Sequence, residues 1–194
     1  MLHLLRPTDR RWVEAARLDL MGLLSDHAHC ELKAAQSALS IVARFGGEHP
    51  ALIEPLSALA REETAHFREV HAHLEKRGGE MTKPPVDEYV RDLQSAAYRE
   101  RGSVDPFLDR LLVSALIEAR SCERFKLLSK EIGDETLQGF YAGLMVAEAR
   151  HFRLFSELAE AIFGVSSARE RLRHLAELEA EISDRLPLGP TVHG

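Results

Sequence analysis

Cysteine, proline, glycine and aromatic residues are all scarce in this chain, and each scarcity removes a class of protein. The two cysteines, Cys30 and Cys122, form no Cys-x-x-Cys pair, so neither a zinc ribbon nor a disulfide framework is encoded, and a reducing cytoplasm is the expected compartment. No apolar run approaches the roughly 20 residues that span a bilayer, and the opening Leu2-His3-Leu4-Leu5-Arg6-Pro7 is too short for a signal peptide. A soluble, intracellular protein is expected. A basic excess is missing too: the net charge is −6, so any nucleic-acid contact must come from a local patch. Strand-like alternation is absent as well. The eight prolines and twelve glycines fall mostly in short clusters between long stretches rich in Ala, Leu, Glu and Arg, which predicts an all-α fold, and 194 residues suit a single domain over 1–194.

The punctuation places the helices. A short opening helix is expected from Thr8 or Asp9 to Leu18, then a first bundle helix from Asp19 to Phe45, stopped by Gly46-Gly47. Pro50 can open the second, which runs to Arg77 before Gly78-Gly79, with Pro55 a possible kink in its first turns. Asp105-Pro106 reads as cap and first residue of the third, ending near Ile132; Asp134 caps the fourth, which reaches Phe163; Ser167 caps a last helix that frays before Pro187. Between the second and third lies a long connection, Gly78 to about Val104, containing Pro84-Pro85 and a helix near Asp87 to Arg99. A connection of that length suits a crossover between parallel helices, so the expected architecture is a ferritin-like four-helix bundle with short N-terminal, crossover and C-terminal helices.

Two copies of one pattern stand out on this frame. Glu63-Thr64-Ala65-His66-Phe67-Arg68 returns as Glu148-Ala149-Arg150-His151-Phe152-Arg153, and a lone glutamate precedes each at nearly the same distance, Glu31 before Glu63 and Glu118 before Glu148. Spaced three apart on a helix, a carboxylate and an imidazole share one face, with roughly 5–6 Å between Cβ atoms, close enough to grip one metal ion. All four glutamates fall on apolar stripes: Leu24, Ala28, Glu31, Ala35, Ala38; Leu56, Leu59, Glu63, His66, Val70; Leu111, Ala115, Glu118, Cys122, Phe125; and Tyr141, Leu144, Glu148, His151, Phe155. Four carboxylates gathered in a core repel one another unless cations sit among them, and two divalent ions supply +4 against −4. Glu31, Glu63, His66, Glu118, Glu148 and His151 are therefore the expected ligands of a two-metal centre, with no catalytic residue expected beyond them. Glu62, four before His66, lies on a more solvated stripe than Glu63; Glu123 has Lys126 and Lys130 as neighbours and sits too near Glu148 in sequence to match the first half, so Glu118 is preferred. His27 and His73 extend the ligand stripes and read more simply as packed histidines than as supports of the ligands. Carboxylates and imidazoles together suit iron or manganese, with iron the best match, and paired ferrous ions can reduce dioxygen.

Three segments carry a more specific likeness. Ile117-Glu118-Ala119-Arg120-Ser121-Cys122-Glu123-Arg124-Phe125, Asp26-His27-Ala28-His29-Cys30-Glu31 and Glu148-Ala149-Arg150-His151-Phe152 closely resemble the bacterial tRNA 2-methylthio-N6-isopentenyladenosine hydroxylases, a resemblance that extends over nearly the whole chain. It implies a non-haem diiron monooxygenase that hydroxylates the isopentenyl side chain of the modified adenosine beside the tRNA anticodon. Two iron ions per chain, dioxygen and external reducing equivalents are then required, and the six residues above are the implied iron ligands. No rubredoxin-like Cys-x-x-Cys is present, so the electrons are expected from a separate ferredoxin or reductase. Arg120, Arg124, Lys126 and Lys130, or Arg91, Arg99 and Arg101 in the crossover, are candidates to contact the anticodon loop. The alternatives are a ferritin-like iron oxidase or storage protein, a diiron oxygenase acting on another small substrate, and a bundle that serves only as an interaction module.

Overall fold

The computed structural model describes residues 2–84 and 86–193, and every described element is helical. The chain clusters into two compact units: residues 16–85 with 190–192, and residues 1–15 with 86–189 and 193–194. Met1, Pro85 and Gly194 lie outside the described residues, so of the Pro84-Pro85 pair only Pro84 is described. No described helix is long and apolar enough to cross a membrane.

The first unit is a helical hairpin. Helix α2, Leu20–Phe45, starts where the Asp19 carboxylate accepts the Gly22 N–H at 2.8 Å, so one of the otherwise unbonded first-turn donors is satisfied. The return helix does not begin at Pro50 as an α-helix. Pro50–Leu52 forms a single 3-10 turn, and α3 runs Ile53–Glu75. Pro55 falls in the first turn of α3, where its missing N–H would have had no helical partner. Leu23, Leu24, Ala28, Ala38 and Ile41 of α2 and Leu56, Leu59, Val70 and Leu74 of α3 are buried.

The second unit joins α5, Pro106–Glu131, to α6, Glu135–Phe163, with α7, Val165–Arg185, and α4, Glu88–Arg99, packed beside them. The short α1, Arg11–Leu18, precedes α2 in the chain, and its Trp12 is fully buried. Asp87, Asp105 and Asp134 each cap the helix that follows, accepting the N–H of Val90, Phe107 and Leu137 at 3.0, 2.7 and 3.0 Å. Ser167 is not the cap of α7. A single residue, Gly164, ends α6 and opens α7, and its φ of 85° and ψ of 145° are open to glycine and strained for any side chain. At the C-terminal end of α4, where carbonyls lack helical partners, Arg171 of α7 donates to Ala97 O at 3.0 Å and Glu100 O at 2.9 Å while its Nε bonds Asp109 at 2.7 Å.

Candidate metal centre

Each unit gathers one carboxylate–carboxylate–imidazole triad. In the hairpin of α2 and α3, Glu31 comes from mid-α2 and Glu63 with His66 from one turn of α3, and a ligand atom from each lies within 4.8 Å of the others. His66 Nδ1 is 3.0 Å from Glu63 Oε2 and 3.9 Å from Glu31 Oε2. In the unit of α5 and α6, Glu118 comes from α5 and Glu148 with His151 from one turn of α6, again with ligand atoms within 4.8 Å of one another. His151 Nδ1 is 3.6 Å from Glu148 Oε2. None of the six residues is more than 9% exposed.

The donor chemistry fits a divalent cation in each triad. Two ionised carboxylates beside a neutral imidazole leave −2 in a buried volume, and protonating the imidazole still leaves −1. One M²⁺ cancels the charge and occupies the carboxylate lone pairs. Oxygen-rich sets with one imidazole per ion suit iron or manganese; no thiolate joins them, for Cys122 donates its S–H to Met145 O at 3.3 Å. Burial and the facing Glu148 charge push the Cys122 thiol up to about 11. The rival carboxylates are placed elsewhere. Glu123 accepts the Thr8 N–H and hydroxyl and the Arg120 guanidinium, and Glu62 is a third exposed, with Oε1 3.9 Å from His66 Nε2.

Two of the expected anticodon-loop contacts point inward. Arg120 is 0% exposed and donates to Glu179 Oε1 through Nε and Nη2 at 2.9 and 2.7 Å, to Glu123 Oε2 at 2.6 Å, to Thr8 Oγ1 at 3.1 Å and to Arg6 O at 3.1 Å. Arg124 is 5% exposed, stacked 4.7 Å from the Trp12 ring centroid, and burial together with the Arg120 charge lowers its pKa to about 10. Neither guanidinium faces solvent, because the N-terminal segment and α7 cover this face of α5, which sequence patterning alone reads as a solvated charge run. Arg91 and Arg101 have carboxylate neighbours, Asp92 at 2.9 Å and Asp109 at 3.4 Å.

Lys126 and Lys130 have a different setting. They line a cleft of about 550 Å³ with Leu4, Leu5, Arg6, Arg10 and Leu127, to which Glu123 and Glu131 also contribute, the latter paired with Arg10. The N-terminal part of that cleft was not legible in the sequence, since nothing in Leu4-Leu5-Arg6 signals that it folds against α5. His27 is the other residue the sequence undervalued: it is fully buried, with Nε2 2.6 Å from Glu31 Oε1. Its position four residues before the expected ligand Glu31 on the same helix was the available signal.

Buried Glu/Glu/His triads that could each hold a metal ion, carried on paired helices, place the chain in an all-α class with a ferritin-like fold. A solved structure agrees: the chain aligns with Protein 43 with aldehyde deformylating oxygenase activity from Synechococcus at a TM-score of 0.90 and 39% identity, over 98% of this chain and 95% of that one. Within that class the chain belongs to the tRNA-(MS[2]IO[6]A)-hydroxylase (MiaE) family, whose pattern it matches over residues 1–194. Two relatives are each named tRNA 2-(methylsulfanyl)-N(6)-isopentenyladenosine(37) hydroxylase. The one from Pseudomonas putida is 42% identical over 153 residues, covering 79% of this chain and 73% of that protein. The one from Salmonella typhimurium is 30% identical over 224 aligned positions, covering 91% of this chain and 82% of that protein.

Proposed function

We propose that this chain hydroxylates the isopentenyl side chain of 2-methylthio-N6-isopentenyladenosine beside the anticodon of tRNA, in the cytoplasm, with two iron ions held by Glu31, Glu63, His66, Glu118, Glu148 and His151. The observation that carries the reading is the pair of buried triads in a chain of this family: each half supplies the charge and lone pairs for one divalent cation. The reading takes residues 1–194 as a single functional domain. Bound ferrous ions would supply electrons to dioxygen and the oxidising power to attack a C–H bond.

The chain's own residues have four tasks. The Glu-x-x-His turns of α3 and α6 each present a carboxylate and an imidazole from one helical face, and Glu31 and Glu118 complete the sets from the partner helices. Ala28, Ala35 and Ala38, all buried, keep the stripe of α2 around Glu31 free of bulky side chains, as a prenyl tail would require. Burial of the six ligands keeps bulk water from the reacting carbon. Lys126 and Lys130 hold phosphates of the anticodon loop, whose modified base can be splayed from its stack. One oxygen atom enters the C–H bond and the other leaves as water, which consumes two electrons and two protons. A separate ferredoxin or reductase delivers the electrons.

A second reading has one observation in its favour. The 39% identity to a protein with aldehyde deformylating oxygenase activity supports an aldehyde as substrate of the same ligand set. Deleting the gene and analysing digested tRNA by mass spectrometry separates the two. The tRNA reading expects a nucleoside lighter by one oxygen, restored by the intact protein and not by Glu63→Ala. Unchanged nucleosides in a host that makes the prenylated precursor would refute it, and aldehyde consumption by the purified protein would then favour the second.

A further inference from the structure

Glu31 and Glu118 are the two ligands contributed without an imidazole on their own helix turn, and their surroundings differ. Four residues before Glu31 stands His27, 0% exposed, with Nε2 2.6 Å from Glu31 Oε1. Four residues before Glu118 stands Ser114, whose hydroxyl instead donates to Arg110 O of its own helix at 3.0 Å. The two halves repeat in ligand type and break their symmetry at this point.

We infer that His27 is a positioning residue: it holds Glu31 by one carboxylate oxygen so that the other is presented to the metal ion of the α2/α3 triad. The inference rests on the proposed metal centre and deepens it. An ionised carboxylate only accepts hydrogen bonds, so the ring must donate through Nε2–H. That bond fixes the end of a side chain with three rotatable torsions, in a setting closed to bulk solvent. Glu31 Oε1 is thereby committed to the protein. Oε2 is the oxygen turned toward the ligand set, 3.9 Å from His66 Nδ1. A glutamate held this way would offer Oε2 to a cation in a fixed orientation, without first losing the torsional freedom of its carboxylate end. Glu118 has no such imidazole four residues before it, so the two ions are predicted to be inequivalent. Supporting groups of this kind commonly change metal affinity by about 10–100-fold when removed.

The test titrates the metal-free full chain with Co²⁺, reading affinity and visible ligand-field bands. Wild type is expected to bind two ions with distinguishable bands. His27→Leu, which keeps bulk and removes the donor, is expected to weaken one ion about 10–100-fold and shift its bands while the other is unchanged. His27→Gln, whose amide reaches about as far as Nε2, restores most of the affinity, and Ser114→Ala leaves both ions as in wild type. Circular dichroism of each metal-free variant checks the fold. Should His27→Leu not fold, His27→Asn, whose amide is too short to reach Oε1, takes its place.

Failure of wild type to bind Co²⁺ would sink the metal centre itself. Two ions in wild type, with His27→Leu or His27→Asn binding both at unchanged affinity and bands, would overturn the role of His27 alone. Equal weakening of both ions in a folded variant would overturn it too, because the hydrogen bond reaches only Glu31.

Discussion

Replacing Arg120 with methionine should destabilise the protein far more than a lost surface charge would. The guanidinium is fully buried and donates to Glu179, Glu123, Thr8 and the Arg6 carbonyl. Glu179 is also 0% exposed, and after the substitution its carboxylate keeps the Tyr89 hydroxyl, 3.0 Å from Oε1, as the remaining donor among these contacts. Leaving one member of a buried ion pair typically costs about 3–5 kcal/mol. For a chain of this size each kcal/mol shifts Tm by roughly 2–4 °C, so a drop of about 6–20 °C is expected. Thermal denaturation followed by circular dichroism would compare wild type, Arg120→Met, Glu179→Leu and the double variant at pH 7. The double variant removes both charges and should recover much of the loss, a coupling of up to about 3 kcal/mol. The pH dependence follows from sign. Burial already holds the Glu179 carboxyl above its ordinary 4.5, and without Arg120 it rises further. A carboxyl raised in the folded state favours folding below the unfolded value and disfavours it as pH rises through the folded one. The Arg120→Met deficit should therefore shrink as pH falls toward 4.5. An Arg120→Met protein within about 1 kcal/mol of wild type, or a deficit indifferent to both pH and Glu179→Leu, would refute the reasoning.

Lys126→Ala and Lys130→Ala should each weaken binding of an anticodon stem-loop and lower the slope of log affinity against log salt by roughly one, measured by fluorescence anisotropy, with Tm nearly unchanged. Gly164→Ala should cost about 1–3 kcal/mol in urea denaturation, since φ 85° and ψ 145° strain any side chain even though open space surrounds the Cβ position. In the metal-free protein the Cys122 thiol, raised to about 11, contributes stability that is intact below the ordinary value of 9 and lost as pH rises through 11. Alkylation at Cys122 should accordingly be slow at neutral pH and accelerate only near that value, as followed by peptide mass spectrometry.

The Asp105 and Asp134 caps, the glycine stops and the apolar stripes were legible because helix ends and faces are local; Asp19 and Asp87, read as the first residues of their helices, turn out to be caps as well, and Glu31, Glu63, Glu118 and Glu148 are buried as their stripes predicted. The start of α7 was misplaced because Gly164 serves two helices at once, a geometry that Ser167 imitates in sequence. Arg120 and Arg124 were misjudged for a tertiary reason. Arg120 bonds Thr8 and Glu179, 112 and 59 residues away, and Arg124 stacks on Trp12 of the N-terminal segment; no local pattern encodes that cover. His27 was visible as a stripe position, but only its 2.6 Å approach to Glu31 separates a supporting imidazole from a packed one.

The most direct measurement supplies the iron-loaded protein with reductant, an anticodon stem-loop bearing the prenylated methylthio-adenosine, and dioxygen labelled with oxygen-18, then weighs the released nucleoside. The account predicts one labelled oxygen atom on the prenyl chain with wild type and none with Glu148→Ala. An unmodified nucleoside from protein that carries its iron, or an oxygen atom derived from water, would contradict it.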